Sequence, residues 1–296
     1  MGLKFFDLFA GIGGFRLGME RAGHECIGSC EWDKYARETY KTNFGSYPEY
    51  NDAKDLHPQS LPYFDVLCAG FPCQAFSIAG KRMGFEDTRG TIFFEIARIA
   101  KEKRPPYLFL ENVKGLLNHD KGRTFDTIIS TLDEMGYDAE WQVLNSKYFV
   151  PQNRERVFIV GHLRGERTRQ VFPIGEISEL CINKKKSTVA RTLSGGAHSG
   201  GHHSQMSILL MLSNTKGNIK QRLQKRDNTW TLDCTGSYFA IKDDAKFRRF
   251  TPVECERLQG FPDNWTIGSN TQRYKQCGNA VTVDVVEYIA KELRLG

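Results

Sequence analysis

A chain of 296 residues, 40% hydrophobic and 26% charged, has an ordinary globular composition and enough length for one large domain and a smaller one. It holds no run of about 18 apolar residues that would read as a membrane-spanning helix, and Asp7 interrupts any apolar signal-peptide core. The net charge of +6 is uneven: residues 164–249 carry 16 Lys and Arg against seven Asp and Glu, a basic block that fits either a polyanionic partner or a solvated patch.

Residues 3–8 form an apolar run that predicts a buried strand. The stretch Ala10-Gly11-Ile12-Gly13-Gly14 predicts a tight turn that opens a helix over 15–22. A second strand, 26–30, ends at Glu31-Trp32-Asp33, where Asp33 is placed to cap a helix running to Asn43. The alternation continues with strand 65–69, helix 91–101, strand 107–110, helix 124–135 and strands 140–146 and 156–161. Such alternation predicts an α/β fold with a doubly wound, mostly parallel, Rossmann-like sheet. The pattern stops near residue 165. Lys184-Lys185-Lys186, a Gly/His/Ser stretch over 194–203 and weak periodicity predict a second, smaller and irregular domain. Regular structure returns at Thr251, with helices expected near 252–259 and 279–293. The expected domain boundaries are 1–165, 166–248 and 249–296.

The strand ends carry the chemistry. In an open α/β sheet, ligands bind beyond the carboxyl ends of the strands. The strand 65–69, apolar from Val66 onward, leads there into Gly70-Phe71-Pro72-Cys73-Gln74, which presents a soft nucleophile. The run 107–110 leads into Glu111-Asn112-Val113, where poor solvation favours a proton-donating carboxyl. Taken singly, a structural cysteine and a capping glutamate explain these two as well. The glycine turn lacks the G-x-G-x-x-G spacing of a dinucleotide site. With Glu31 for a ribose hydroxyl and Trp32 for a purine face, it suits a nucleoside ligand without a pyrophosphate. Arg154 and Arg156, two apart in an extended segment, are expected on one side, as forks for a base carbonyl or a phosphate. Residues 77–90 contain Gly80, Gly84 and Gly90 and read either as a closing loop or as an ordinary flexible one. The eight cysteines include no C-x-x-C pair, so no metal site is expected, and a reduced, cytoplasmic protein is.

In order and spacing these segments resemble the DNA (cytosine-5)-methyltransferase family, in its short bacterial restriction–modification form. The resemblance rests on Asp7-Leu8-Phe9-Ala10-Gly11-Ile12-Gly13-Gly14, Glu31-Trp32-Asp33, Asp52, Gly70-Phe71-Pro72-Cys73-Gln74, Glu111-Asn112-Val113 and Gln152-Asn153-Arg154-Glu155-Arg156. It continues through Arg249, Thr251, Pro252 and Glu254 with Arg257-Leu258-Gln259-Gly260-Phe261-Pro262, and through Gln276-Cys277-Gly278-Asn279-Ala280-Val281, and covers residues 3–162 and 248–294.

The resemblance implies S-adenosylmethionine as methyl donor and S-adenosylhomocysteine as product. Their site would comprise Phe9, Ala10, Gly11, Ile12, Gly13, Gly14, Glu31, Trp32, Asp52, Ala53, Gly70, Pro72, Asn279, Ala280 and Val281. It implies catalysis by Cys73, Glu111, Arg154 and Arg156 on a cytosine flipped from the duplex. Cys73 would attack C6, Glu111 would meet N3 and the exocyclic amine, and Arg156 would hold O2 with Arg154 in support. DNA contacts are implied for Gln74, Ser77, Lys81, Arg89 and Thr231, although Arg191-Thr192-Leu193 offers a second copy of the Thr231-Leu232 pattern. Lys216, Lys220, Arg222, Lys225 and Arg226 add expected phosphate contacts. His198, His202 and His203 read as a flexible Gly-rich loop near DNA rather than a metal site. The expected partners are double-stranded DNA and a separately acting restriction endonuclease, and the expected state is a monomer in the bacterial cytoplasm. Two rival readings remain: a transfer-RNA cytosine methyltransferase, whose Cys-Phe-Thr tripeptide is absent here, and a catalytically silent DNA-binding relative. A nicotinamide dehydrogenase fails on the glycine spacing.

Overall fold

The computed structural model describes residues 2–72, 92–174 and 250–296 in full, and the backbone alone of 209–212, 229–230, 238–243 and 246–249. The chain divides into two units. One holds Met1–Leu144, Glu155–Ile174 and Val285–Gly296; the other holds Asn145–Arg154 and Gly175–Asp284.

The first unit is built on strands β1 (Lys4–Leu8), β2 (Glu25–Cys30), β3 (Val66–Gly70), β4 (Tyr107–Val113) and β5 (Tyr137–Asn145). The second unit contributes β6 (Gln152–Asn153), and the first resumes with β7 (Glu155–Leu163). The six-stranded sheet has the order β2-β1-β3-β4-β7-β5. Strands β2, β1, β3 and β4 pair in parallel, and β7 runs antiparallel to β4. A parallel strand is covered on both faces and so must be apolar throughout rather than alternating. The four residues Val66–Ala69 of β3 are all buried, as are Tyr107–Leu110 of β4. From β1 the chain moves outward to β2 and then returns to β3 on the other side. The carboxyl ends of β1 and β3 therefore flank the topological switch point, where ligands bind in such sheets.

Helices α1 (Gly14–Arg21), α2 (Lys34–Phe44), α3 (Ile92–Lys103) and α4 (Arg123–Glu134) cover this sheet. Helix α2 starts where the sequence predicts, because the Asp33 carboxylate accepts from the backbone N–H of Tyr35 and Ala36. Helix α3 buries Phe93, Ile96, Ala97, Ile99 and Ala100 into a core with Leu67, Leu108, Leu110 and Ile128.

In the second unit, β6 pairs in parallel with β9 (Thr229–Trp230), and β10 (Tyr238–Asp243) lies between β8 (Leu209–Leu212) and β11 (Lys246–Arg249). Helix α5 (Pro252–Leu258) begins with a capping box, in which Thr251 and Glu254 satisfy each other's backbone N–H. Here the structure corrects one expectation. The helix sought near 279–293 is α7 (Val283–Ala290), and it is preceded by α6 (Asn270–Asn279), which has no apolar stripe to announce it. Ser269 caps α6 by accepting from Gln272 N–H, and Ala280 ends it in an extended conformation.

Candidate active site

Three loops meet the carboxyl ends of β1, β3 and β4. After β1 the backbone turns through Phe9, Gly11 and Gly13, all at positive φ. At Gly13 a Cβ would lie 2.3 Å from the Phe44 ring, so only glycine fits. At Gly11 a Cβ would meet nothing within 4 Å, so that side of the turn is open. Glu31 holds the turn from the end of β2. One of its oxygens accepts from Gly11 N–H at 2.7 Å and the other from Asp33 N–H at 2.7 Å. Burial raises the Glu31 pKa, and these two donors oppose the rise. Trp32 next to it is 76% exposed, with its ring free to meet a planar partner.

Asp52 is brought to the same edge by its backbone. Tyr50 accepts from Glu31 N–H at 3.1 Å, and the Arg37 guanidinium donates to the carbonyls of Glu31, Tyr50 and Pro48. Asp52 caps a short turn by accepting from Lys54 N–H, and Ala53 is buried behind it. Arg37 is a fixing residue that the sequence did not single out.

At the ends of β3 and β4, Phe71 N–H donates to the Glu111 carbonyl at 3.2 Å, and Pro72 is exposed. A Cβ on Gly70 would come within 3.5 Å of Glu111 Oε2. Glu111 Oε1 lies 3.0 Å from Arg156 Nε, and both side chains are mostly buried. The antiparallel register sets Val113 opposite Arg156 and Glu111 opposite Phe158, so Glu111 and Arg156 are diagonal neighbours on one face. Burial lowers the Arg156 pKa, and Glu111 opposes that shift.

Arg154 does not join Arg156. The expected single extended segment is broken at Arg154, between β6 and β7, which belong to separate sheets. Its Nη2 donates to the carbonyls of Gly278 at 3.1 Å and Ala280 at 2.9 Å, within the second unit. Asn279 between them is exposed, while Ala280 and Val281 are buried. Cys73, Gln74, Ser77, Lys81, Arg89 and Thr231 lie outside the described residues. So do the 77–90 loop, the 191–203 stretch with its three histidines, and Lys216, Lys220, Arg222, Lys225 and Arg226. Among the described residues, no cluster of three or more His, Cys, Asp or Glu is placed to hold a metal, and no helix is long and apolar enough to cross a membrane.

Asp7 stands in the sequence as a charged residue within an apolar run, at the start of the glycine-turn motif. It is wholly buried in β1, and neither carboxyl oxygen has a hydrogen-bond partner. Burial raises its pKa to about 8, with Arg16 opposing and Glu31 and Glu20 adding to the rise. An acid whose pKa is raised by folding stabilises the fold fully below its unfolded-state pKa, and loses that contribution as pH climbs through the folded value. Asp7→Asn should therefore flatten the stability profile between about pH 4 and pH 8, and raise stability at the upper end by on the order of a few kcal/mol. Urea denaturation at both ends of that range tests this; parallel profiles for the two proteins would contradict it.

The family model described as C-5 cytosine-specific DNA methylase matches residues 3–206 and 176–294. This chain belongs to the C-5 cytosine-specific DNA methylase family. The DNA methylase is 40% identical to the type II methyltransferase M.HhaI of Haemophilus parahaemolyticus, over 98% of its own length and 93% of that relative's. It is 42% identical to the type II methyltransferase M.NgoBI of Neisseria gonorrhoeae, over 97% and 92%. The methylase fold also matches the solved structure of the S. pombe Dnmt2 methyltransferase, with TM-score 0.69, 19% identity and coverage of 97% and 96%. A putative DNA modification methyltransferase encoded within an E. coli prophage matches with TM-score 0.63, 20% identity and 98% coverage of both chains. The methylase is thus an enzyme, a DNA (cytosine-5)-methyltransferase, and its mostly parallel α/β sheet is the expected one.

Proposed function

We propose that this methylase acts on a cytosine flipped out of double-stranded DNA, through a covalent bond between Cys73 and C6, within a restriction–modification system. The observation that carries the reading is the Glu111–Arg156 pair at the end of β4, beside the Gly70-Phe71-Pro72 strand end that leads directly to Cys73. A carboxyl and a guanidinium side by side match the polar edge of a pyrimidine.

The residues at the switch point fit S-adenosylmethionine. Gly11 leaves open space above the turn, Glu31 is held by backbone donors at the end of β2, and Trp32 is exposed beside it. Phe9, Ala10, Gly11, Ile12, Gly13 and Gly14, with Glu31, Trp32, Asp52, Ala53, Gly70 and Pro72, would hold it, and the family resemblance adds Asn279, Ala280 and Val281. When bound, S-adenosylmethionine supplies a methyl group to C5.

The chain's own residues prepare and release the base. The Cys73 thiolate forms a bond to C6, and the electron pair of the C5–C6 double bond moves to C5. Protonated Glu111 donates to N3 as negative charge develops there, while its other oxygen accepts from the exocyclic amine. Arg156 donates to O2 and keeps Glu111 in place. After methylation a base removes the C5 proton, the C5–C6 double bond re-forms, the C6–S bond breaks to return the thiolate, and N3 gives its proton back to Glu111.

Duplex DNA carrying 5-fluorocytosine at the methylated position tests this, because fluorine cannot leave as a proton does. The expected result is a DNA–protein adduct that withstands denaturing gel electrophoresis and needs S-adenosylmethionine. Adduct formation with RNA alone would move the substrate to RNA, and no adduct with either would remove the covalent step.

A further inference from the structure

The loop that follows α6 is held by buried polar side chains to an unusual degree. Arg154 grips the carbonyls of Gly278 and Ala280. Gln259 donates to the Cys277 carbonyl at 2.7 Å and accepts from the Thr282 hydroxyl at 2.9 Å, and its carbonyl accepts from Val283 N–H. The Ser146 hydroxyl lies 2.9 Å from that of Thr282, and Gln152 donates to the Leu258 carbonyl at 2.7 Å. Ser146, Gln152, Arg154, Gln259 and Thr282 are each at most 3% exposed.

Burying a guanidinium is costly unless charge-assisted bonds compensate. In roughly a third to a half of helices, a left-handed residue, usually glycine, lets following backbone N–H groups meet the last carbonyls. Here an arginine, whose two contacts bracket a single residue, does this work. That residue is Asn279, exposed between two buried neighbours. The positive charge also sits at the carboxyl end of α6, where the helix dipole favours it. Both bonds from Arg154 Nη2 go to this loop.

We propose that Arg154 is a positioning residue for the cofactor-contacting loop Asn279-Ala280-Val281, rather than a residue that handles the cytosine. The inference rests on the reading above that this loop contacts S-adenosylmethionine. A loop pre-ordered by Arg154 binds without first meeting the cost of ordering; without the clamp, apparent affinity drops by the fraction of molecules in which the loop is correctly set. Arg154 thus acts on the methyl donor, and Arg156, two residues on, on the target base.

The test is calorimetric titration of S-adenosylhomocysteine, without DNA, into the wild-type protein and three variants: Arg154→Met, Arg154→Lys and Asn279→Ala. Thermal melts on each verify folding, and Arg154→Lys keeps the charge in case Arg154→Met does not fold. The Kd for S-adenosylhomocysteine should rise about tenfold or more in Arg154→Met and by a smaller factor in Arg154→Lys. Affinity for 5-fluorocytosine DNA in the absence of cofactor should change less than about twofold. In steady-state assays the KM for S-adenosylmethionine should rise far more than kcat falls. Weaker DNA binding with an unchanged Kd for S-adenosylhomocysteine in both Arg154 variants would overturn the proposal and return Arg154 to the base. If Asn279→Ala weakens binding and neither Arg154 variant does, the loop contacts the cofactor but Arg154 does not position it. If Asn279→Ala is also without effect, the reading of the loop itself fails.

Discussion

Cys73→Ser should reduce methyl transfer by at least about a thousandfold while leaving the Kd for S-adenosylhomocysteine within about twofold of wild type. A serine hydroxyl is nearly isosteric with the thiol but is not ionised near neutral pH. The strand end that presents position 73 depends on the backbone of Gly70, Phe71 and Pro72, which the substitution leaves alone. Cofactor binding should be retained, because the substitution exchanges a single side-chain atom and leaves in place Gly70, Pro72 and the other groups assigned to the cofactor. Transfer of labelled methyl groups from S-adenosylmethionine to DNA, beside calorimetry with S-adenosylhomocysteine, separates the two effects. Undiminished transfer by the variant would refute covalent catalysis by Cys73, and lost cofactor binding would mean that the substitution disturbed the site as a whole.

The second large effect is expected at Glu111. A glutamine there can still donate to N3 and accept from the exocyclic amine, so it preserves recognition of the ring edge. It cannot deliver a proton as charge develops on the ring. Glu111→Gln should therefore lower kcat about 100- to 10,000-fold with little change in KM for DNA. It also leaves the Arg156 guanidinium, mostly buried, without its carboxylate, which costs about 3 kcal/mol of stability on its own. The two contributions separate in the double variant Glu111→Gln with Arg156→Met, which removes the stranded charge. Stability should recover in the double variant, and kcat should stay low. A Glu111→Gln protein with near-normal kcat would show that Glu111 only reads the base and takes no part in proton delivery.

Parallel strands announced themselves clearly in the amino-acid order. Residues 66–69 and 107–110 are buried on both faces and so appear as unbroken apolar runs, and each leads to the polar residues of the site. Asp33 was recognisable as a helix cap because capping is a local hydrogen bond between residues two and three apart. Helix α6 was not recognisable. Its sequence, Asn270 to Asn279, is polar all round, and it is stabilised by the Ser269 cap and by buried Gln276, Cys277 and Gly278. Asp7 was visible as a charge in an apolar strand, but nothing local revealed that both of its oxygens would lack partners.

The candidate chemical groups could be read directly, because each depends on a residue type at the end of its own strand: Pro72-Cys73 after β3, Glu111 after β4, and the glycine turn and Glu31 after β1 and β2. Their pairings could not. Arg154 and Arg156 look equivalent along the chain, yet one clamps the Gly278 and Ala280 carbonyls and the other meets Glu111. Arg37 reaches Pro48 and Tyr50, and Glu31 reaches back to Gly11. These contacts come from strand order and register. Side chains on a strand alternate between faces, so a one-residue slip of β7 against β4 would carry Arg156 away from Glu111 to the opposite side of the sheet.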